Sequence, residues 1–400
     1  MHRLTRFSFV LILLALAFTS LTINLVRASG GVRTINLHCY PNALAFDSGK
    51  SEVYVDAFAN SPHSEFVLAV SDSTDKVVAN ITVGSSDLGW IVYDSVKGEI
   101  FTMDMSGNVY IISDSINRVI ADLTIAAPQL GTGLNNVAFD SGRGEIFVAN
   151  PNINVTVSGN NVTPNFLSNA TVSVISDVTN SVVANITLPG YNADSIAYDP
   201  NKGEVFVSYI SNSSGEVAVI SDSNNAVVDN IALGFGPAGM VFDSAKNEIY
   251  ATDANGTLIA ISDQNNSVVA DVTLQEATPW IMAYDSEKGE IFDVDFNSRA
   301  LQRSVSAISD RDYSVTANIT PGYLPSDITY DSKKGEVFVS NGLPGSLSII
   351  PNEPPTSTFN VTLIVAVSAV GAISVCAVIL VLRRSARAST KSEDQATSTD

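Results

Sequence analysis

Tyr198-Asp199-Pro200-Asn201-Lys202-Gly203-Glu204-Val205-Phe206 is one copy of a phrase that the chain states seven times. The other copies begin at Phe46, Tyr93, Phe139, Phe242, Tyr284 and Tyr330. Each reads aromatic-Asp-(Ser or Pro), then a short turn, then Glu-(Val or Ile)-aromatic. Successive Asp positions lie 47, 46, 59, 44, 42 and 46 residues apart. A period of this size marks a repeat architecture rather than a string of unrelated domains.

Working outward from Tyr198, the unit reads as four strands. Ser195-Ile196-Ala197-Tyr198 is short and apolar, as for a strand covered on both faces. Asp199–Gly203 is turn chemistry, with Gly203 where positive φ is expected and Asn247 in the same slot of another copy. Three further strands follow at 204–208, 216–220 and 227–233, the last two joined by a Ser-Asp turn. That turn recurs at Ser71, Ser113, Ser176, Ser221, Ser262 and Ser309. Four short antiparallel strands, repeated, make a propeller blade. Seven first halves meet only six complete second halves, because the last copy stops at Ile350 and Pro351 stands where its turn should be. Val32–Leu37 carries the pattern of the missing outer strand. The expected fold is therefore all-β: a seven-bladed β-propeller of four-stranded antiparallel blades, closed by an N-terminal outer strand so that the ring has no unpaired seam.

These residues resemble the YVTN β-propeller repeat family of archaeal cell-surface proteins and related bacterial proteins. The naming tetrapeptide survives approximately at Phe147-Val148-Ala149-Asn150 and Phe338-Val339-Ser340-Asn341. The pattern Ile-Ser-Asp-x-x-Asn-x-Val-Val-Ala-Asn-Ile-Thr matches the family's second half, and the likeness covers nearly all of 30–350. A Glu before the second strand in all seven units departs from the family pattern. The resemblance implies a fold and a surface location, not an activity.

The two ends read as targeting segments. Arg3 and Arg6, the apolar run Phe7–Phe18 and Val26-Arg27-Ala28 give the layout of a signal peptide over 1–28, or of an uncleaved N-terminal anchor. Residues 29–350 form the propeller and 351–360 a Pro/Ser/Thr linker. Val361–Leu382 has no charge and the length of a membrane-crossing helix. Arg383, Arg384, Arg387 and Lys391 follow at once, which predicts a cytoplasmic tail over 383–400 and an extracellular propeller. Cys39 and Cys376 are the two cysteines and cannot reach one another, so no intramolecular disulfide is expected. Segment 29–360 holds 14 Lys/Arg against 38 Asp/Glu, an acidic excess that excludes nucleic-acid partners.

In a meandering blade the two short repeated turns share one face of the disc. The variable loops lie on the other, where binding residues usually sit. Trp90, Tyr191, Trp280 and Tyr323 are placed on or beside the variable face, either as a mouth for sugar or peptide or as caps on the central tunnel. Asp194 and Asp327 are the carboxylates expected near that mouth. Ten Asn-x-Ser/Thr acceptors are present, at Asn80, Asn154, Asn161, Asn169, Asn185, Asn212, Asn255, Asn265, Asn318 and Asn360. Asn80, Asn185 and Asn318 share one place in the outermost strand. The seven turn Asp and seven Glu recur one per blade instead of converging as calcium needs, so hydrogen bonding within the turn is expected of the Asp. His63 and Glu65 read as a loop pair. No nucleophile–base, metal or phosphate motif is present, and no cofactor is expected. The expected function is a non-enzymatic, membrane-anchored, glycosylated surface propeller for adhesion, envelope structure or capture of a protein or glycan ligand. The rival is an extracytoplasmic lactonase-like hydrolase or redox-cofactor protein, and solute capture for a transporter is a third class.

Overall fold

The computed structural model describes residues 18–23, 31–60, 63–84, 88–125, 136–151, 153–158, 161–166, 169–234, 236–253, 256–274, 279–295, 303–351 and 361–366. Among them the strands form seven four-stranded antiparallel sheets, each a blade of one propeller, and two separate two-stranded pairs. The blades begin, in chain order, with the innermost strands Tyr40–Asp47, Leu88–Asp94, Val137–Asp140, Ile196–Asp199, Gly239–Asp243, Pro279–Asp285 and Tyr323–Asp331. Each innermost strand neighbours the next, and the seventh neighbours the first. Arg33–Asn36 pairs with Ser346–Ile350 in the seventh blade, with Ile35 opposite Leu347. The closure expected of the N-terminal strand is thus the observed one.

The core is divided into seven apolar clusters, one between each pair of neighbouring blades. Phe147, Ile196 and Val205 fill the junction of the third and fourth blades. Ile35, Phe338 and Leu347 meet Leu44, Val53 and Leu68 at the closing seam. A strand inside a blade is therefore covered on both faces, and Glu145–Asn150 is buried at every position. That is why the inner strands read as continuous apolar runs while the outermost strands alternate.

The repeated phrase is a turn held by its Asp. In all seven blades one Oδ accepts the backbone N–H groups two and three residues on, at 2.7–3.3 Å. The carbonyl of the same Asp accepts the N–H four residues on, where φ is positive. The carbonyl of that fourth residue accepts the N–H of the Ser-Asp turn's Asp in six blades, so the two short turns are bonded to each other. A Cβ at Gly203 (φ 66°) would lie 2.5 Å from Asp222 Oδ2. Gly203→Ala is expected to cost about 1–3 kcal/mol, from the left-handed backbone together with that clash. Gly203→Asn should cost less, since Asn247 holds the equivalent position at φ 58°. Urea midpoints of the two variants compare them directly.

Cations tie one blade to the next on this face. Lys50, Lys97, Lys202 and Lys334 donate to the backbone carbonyls of Asp114, Asp177, Asp263 and Asp72 in the following blade, the last across the closing seam. Their carboxyl neighbours also cross the junctions. Asp114, Asp177, Asp222, Asp263 and Asp331 are all pushed above the ordinary carboxyl range, by burial first and by the facing carboxyls of Asp47, Asp94, Asp140, Asp199 and Asp72 as well. The turn Asp residues are thus not isolated one per blade: each of these five meets a carboxyl of the adjacent blade.

One stretch adds to the blade pattern and another departs from the expectation. The insertion in the third blade contains a hairpin of its own, Ile153–Ser158 against Asn161–Phe166. Val361–Ala366, expected to open a membrane-crossing helix, is instead a strand paired with Phe18–Ile23. Val361, Thr362, Ile364 and Val365 are β-branched, which favours the extended form. The remainder of 361–382, the linker 352–360, the tail and the rest of 1–28 lie outside the described residues, as does Cys376. No helix among the described residues is long and apolar enough to cross a membrane.

Candidate functional site

Seven innermost strands that converge without filling the axis leave a channel. The innermost strands of the sixth, seventh, first, second and third blades line a cavity of about 450 Å³ on it. Leu44, Trp90, Ile91, Ile281, Met282 and Ile328 supply its apolar side chains and Asn42, Asp327, Thr329 and Ser332 its polar ones, and the surface it exposes is more polar than apolar. Alternate side chains of these strands face the two neighbouring junctions, as Trp90 and Ile91 or Ile281 and Met282 do, so both phases of each innermost strand border the cavity.

Among the described residues, Asp327 is the one carboxyl lining this cavity. Its Oδ2 accepts the Leu44 N–H of the first blade at 2.6 Å, and its Oδ1 accepts the Ile328 N–H at 2.8 Å. Burial pushes it up to about 7 despite those two donors. It is packed round by protein yet keeps some surface on the channel. Behind it lie Asp56, with no exposure, and Glu65, at 4%. Asp56 accepts the Thr102 hydroxyl at 2.9 Å and Glu65 accepts the Leu88 N–H at 2.5 Å. Burial drives Asp56 far up, and Glu65 and Asp327 add to the rise. Glu65 lies on a strand, His63–Ser71, and not in the expected loop.

The other sequence candidates are dispersed. Trp90 is 4% exposed and lines the channel as part of the junction core. Asp194 lies in the fourth blade beside Asn192, pushed up to about 6 by burial, and is not in the cavity wall. Tyr191 bridges to Ile210. Tyr323 is 52% exposed, opposite Leu343 at 45% in the same sheet. Trp280 lies beneath the Arg303 guanidinium, 5.7 Å from its ring centroid, a cation–π contact. Arg303 also donates to the Pro325 carbonyl at 3.2 Å, joining Trp280 to the strand that carries Tyr323.

In the first blade Tyr40, at the start of the innermost strand, stacks on Phe58 with ring centroids 5.1 Å apart. The sequence reading did not single out Tyr40, Phe58, Arg303 or Leu343. One signal was there: Tyr40 and Tyr323 lie seven and eight residues before their landmark Asp, each at the start of its innermost strand. Three consecutive blades, the sixth, seventh and first, thus present aromatic side chains on the variable face. No group of three or more His, Cys, Asp or Glu among the described residues is arranged to hold a metal ion. Cys39 is buried, and burial pushes its thiol up to about 11, far from the reactive thiolate range. Comparison with known protein families and with characterised proteins gives no match to this chain.

Proposed function

We propose that the chain is a YVTN-type propeller displayed outside the cell, exported by its N-terminal segment and tethered through the apolar stretch 361–382. It acts as a non-enzymatic module that binds a protein or glycan ligand on its variable face. The observation that carries this reading is the aromatic strip of Tyr40, Phe58, Trp280 and Tyr323, held on rigid strands and flanked by Arg303. Flat aromatic faces with an adjacent guanidinium suit sugar rings and peptide side chains alike. The two candidate carboxyls serve the frame: Asp327 spends both oxygens on backbone donors, and Asp194 is enclosed beside Asn192.

The test is a glycan and protein array probed with the purified chain, followed by Trp280→Ala and Tyr323→Ala. Binding to one ligand class should weaken at least tenfold in each variant, with the melting temperature shifted by no more than 2–3 °C. Retained affinity in both variants rejects the strip as the site. A hydrolase activity that disappears in Asp327→Asn would replace this reading with the enzymatic one.

A further inference from the structure

The outermost strand of a blade is the open edge of its sheet, and unprotected edges pair with other edges. Six of these strands share one irregularity. Near the start of each, the register slips by one, leaving Val78, Ile120, Val183, Val228, Val269 and Thr316 as bulged residues without a cross-strand partner. The five aliphatic ones are 46–52% exposed. A bulge twists an edge away from flat pairing, but here it also presents an apolar side chain to solvent.

Two residues beyond each bulge comes an exposed polar slot, filled by Asn80, Asp122, Asn185, Asn230, Asp271 and Asn318 in turn. Slot and bulge residue are thus separated by a single residue on the same open edge. In the first, third and sixth blades the slot opens a glycosylation acceptor: Asn80-Ile81-Thr82, Asn185-Ile186-Thr187 and Asn318-Ile319-Thr320. The Asn and Thr of all three are exposed, while Ile81 and Ile186 are buried. The Ser173 and Ser306 hydroxyls donate to Oδ1 of Asn185 and Asn318 at 2.9 Å. That contact turns the amide nitrogen, the atom that carries an N-glycan, the other way. The second and fifth blades keep the Thr but replace Asn by Asp, placing a charge in the slot. The fourth blade has Asn230 but no Thr, and carries the exposed Asp229 beside it.

We propose that Asn80, Asn185 and Asn318 carry N-linked glycans that cover the open edges of the first, third and sixth blades, where other blades use a carboxylate. This rests on the extracellular reading above. A hydrated glycan rooted two residues from the bulge covers the apolar side chain and blocks a second edge from approaching. In five of the six bulged blades this slot thus holds one of two guards, a sugar or a charge, and in the fourth the charge stands one residue earlier, at Asp229.

The experiment takes the full chain from an exporting, glycosylating host. Protease shaving of intact cells reports display, peptide mass spectrometry reports occupancy, and sedimentation of the detergent-extracted protein reports self-association. Display with glycan at all three residues is expected. The triple Asn→Gln variant should self-associate at least tenfold more strongly than the parent, and the triple Asn→Asp variant should match the parent. A displayed chain bare at these residues overturns the glycan proposal alone. A chain that is not displayed overturns it together with the extracellular reading. Equal self-association of the Gln variant and the parent overturns the guarding role.

Discussion

Deleting Arg33–Asn36 is expected to abolish the cooperative unfolding of the propeller. The strand supplies the fourth strand of the seventh blade and pairs residue for residue with Ser346–Ile349. Its loss uncovers a strand whose five residues are all buried, creating an apolar edge where the ring had none. Ile35 alone, 9% exposed in the seam cluster, contributes about 2–3 kcal/mol. The ladder hydrogen bonds add roughly 0.5–1.5 kcal/mol each. The Arg33–Glu336 pair, bonded at 2.9 and 3.1 Å but partly exposed, adds at most about 1 kcal/mol. The sum is on the order of 5–8 kcal/mol, comparable with the whole stability of a typical domain. Calorimetry and size-exclusion chromatography should show a lost transition and aggregation. A deletion variant that melts within 3 °C of the parent would show that the seam is held by other blades' contacts. Val228→Ala, at an exposed bulge, should change stability by less than about 0.5 kcal/mol in the same assay.

The blade count and the closure were legible because they depend on local chemistry that repeats. Asp199 and Gly203 make the same turn bonds in whatever blade they stand, so the phrase carries its own structure. The junctions were not legible, since their partners are set by ring geometry rather than by spacing. Lys50 reaches Asp114, and Lys334 crosses from the end of the chain to Asp72. The Tyr/Phe alternation in the phrase gains its meaning there. Tyr93, Tyr198, Tyr284 and Tyr330 set their hydroxyls against Asp47, Asp140, Asp243 and Asp285 of the preceding blade. Phe46, Phe139 and Phe242 cannot. The Val-Val pair of the outer strand looks like uninterrupted strand, and a bulge leaves no mark in such a pattern. At the candidate site, Trp90 was read as standing on or beside the variable face, and its phase within Leu88–Asp94 turns it to the channel wall and the junction core. Tyr323 and Trp280 stand at the starts of their innermost strands, and their company comes from a later part of the same blade, Arg303, or from the other end of the chain, the Tyr40–Phe58 stack.

Acidification from pH 8 to pH 5 is expected to stabilise this propeller, the reverse of ordinary acid denaturation. Unfolded Asp titrates near 3.9. In the folded state burial lifts Asp327 to about 7 and Asp194 to about 6. A carboxyl whose folded value is raised favours the folded state most below its unfolded value, and that advantage is lost as pH rises through the folded value. The window for Asp327 therefore runs from about pH 4 to a little above pH 7, and for Asp194 from about pH 4 to above pH 6. Full ionisation of Asp327 costs the fold roughly 2–4 kcal/mol, the lower figure because channel water reaches it and screens the charge. Asp56 and Asp293, both with no exposure, are pushed up by burial in the same sense, as are the junction carboxyls. Relief of self-repulsion in so acidic a chain acts in the same direction. Thermal melts across pH 5–8 should rise by several degrees toward the acid end. Asp327→Asn isolates one share of the effect: it sacrifices a backbone acceptor, at about 1–2 kcal/mol, but flattens the profile between about pH 5 and pH 7. An Asp327→Asn profile parallel to the parent's would place the titration elsewhere, in the Asp56 cluster or at the blade junctions. A parent that loses stability on acidification would mean that these carboxyls are ionised in the folded ring and matched by cations at each junction.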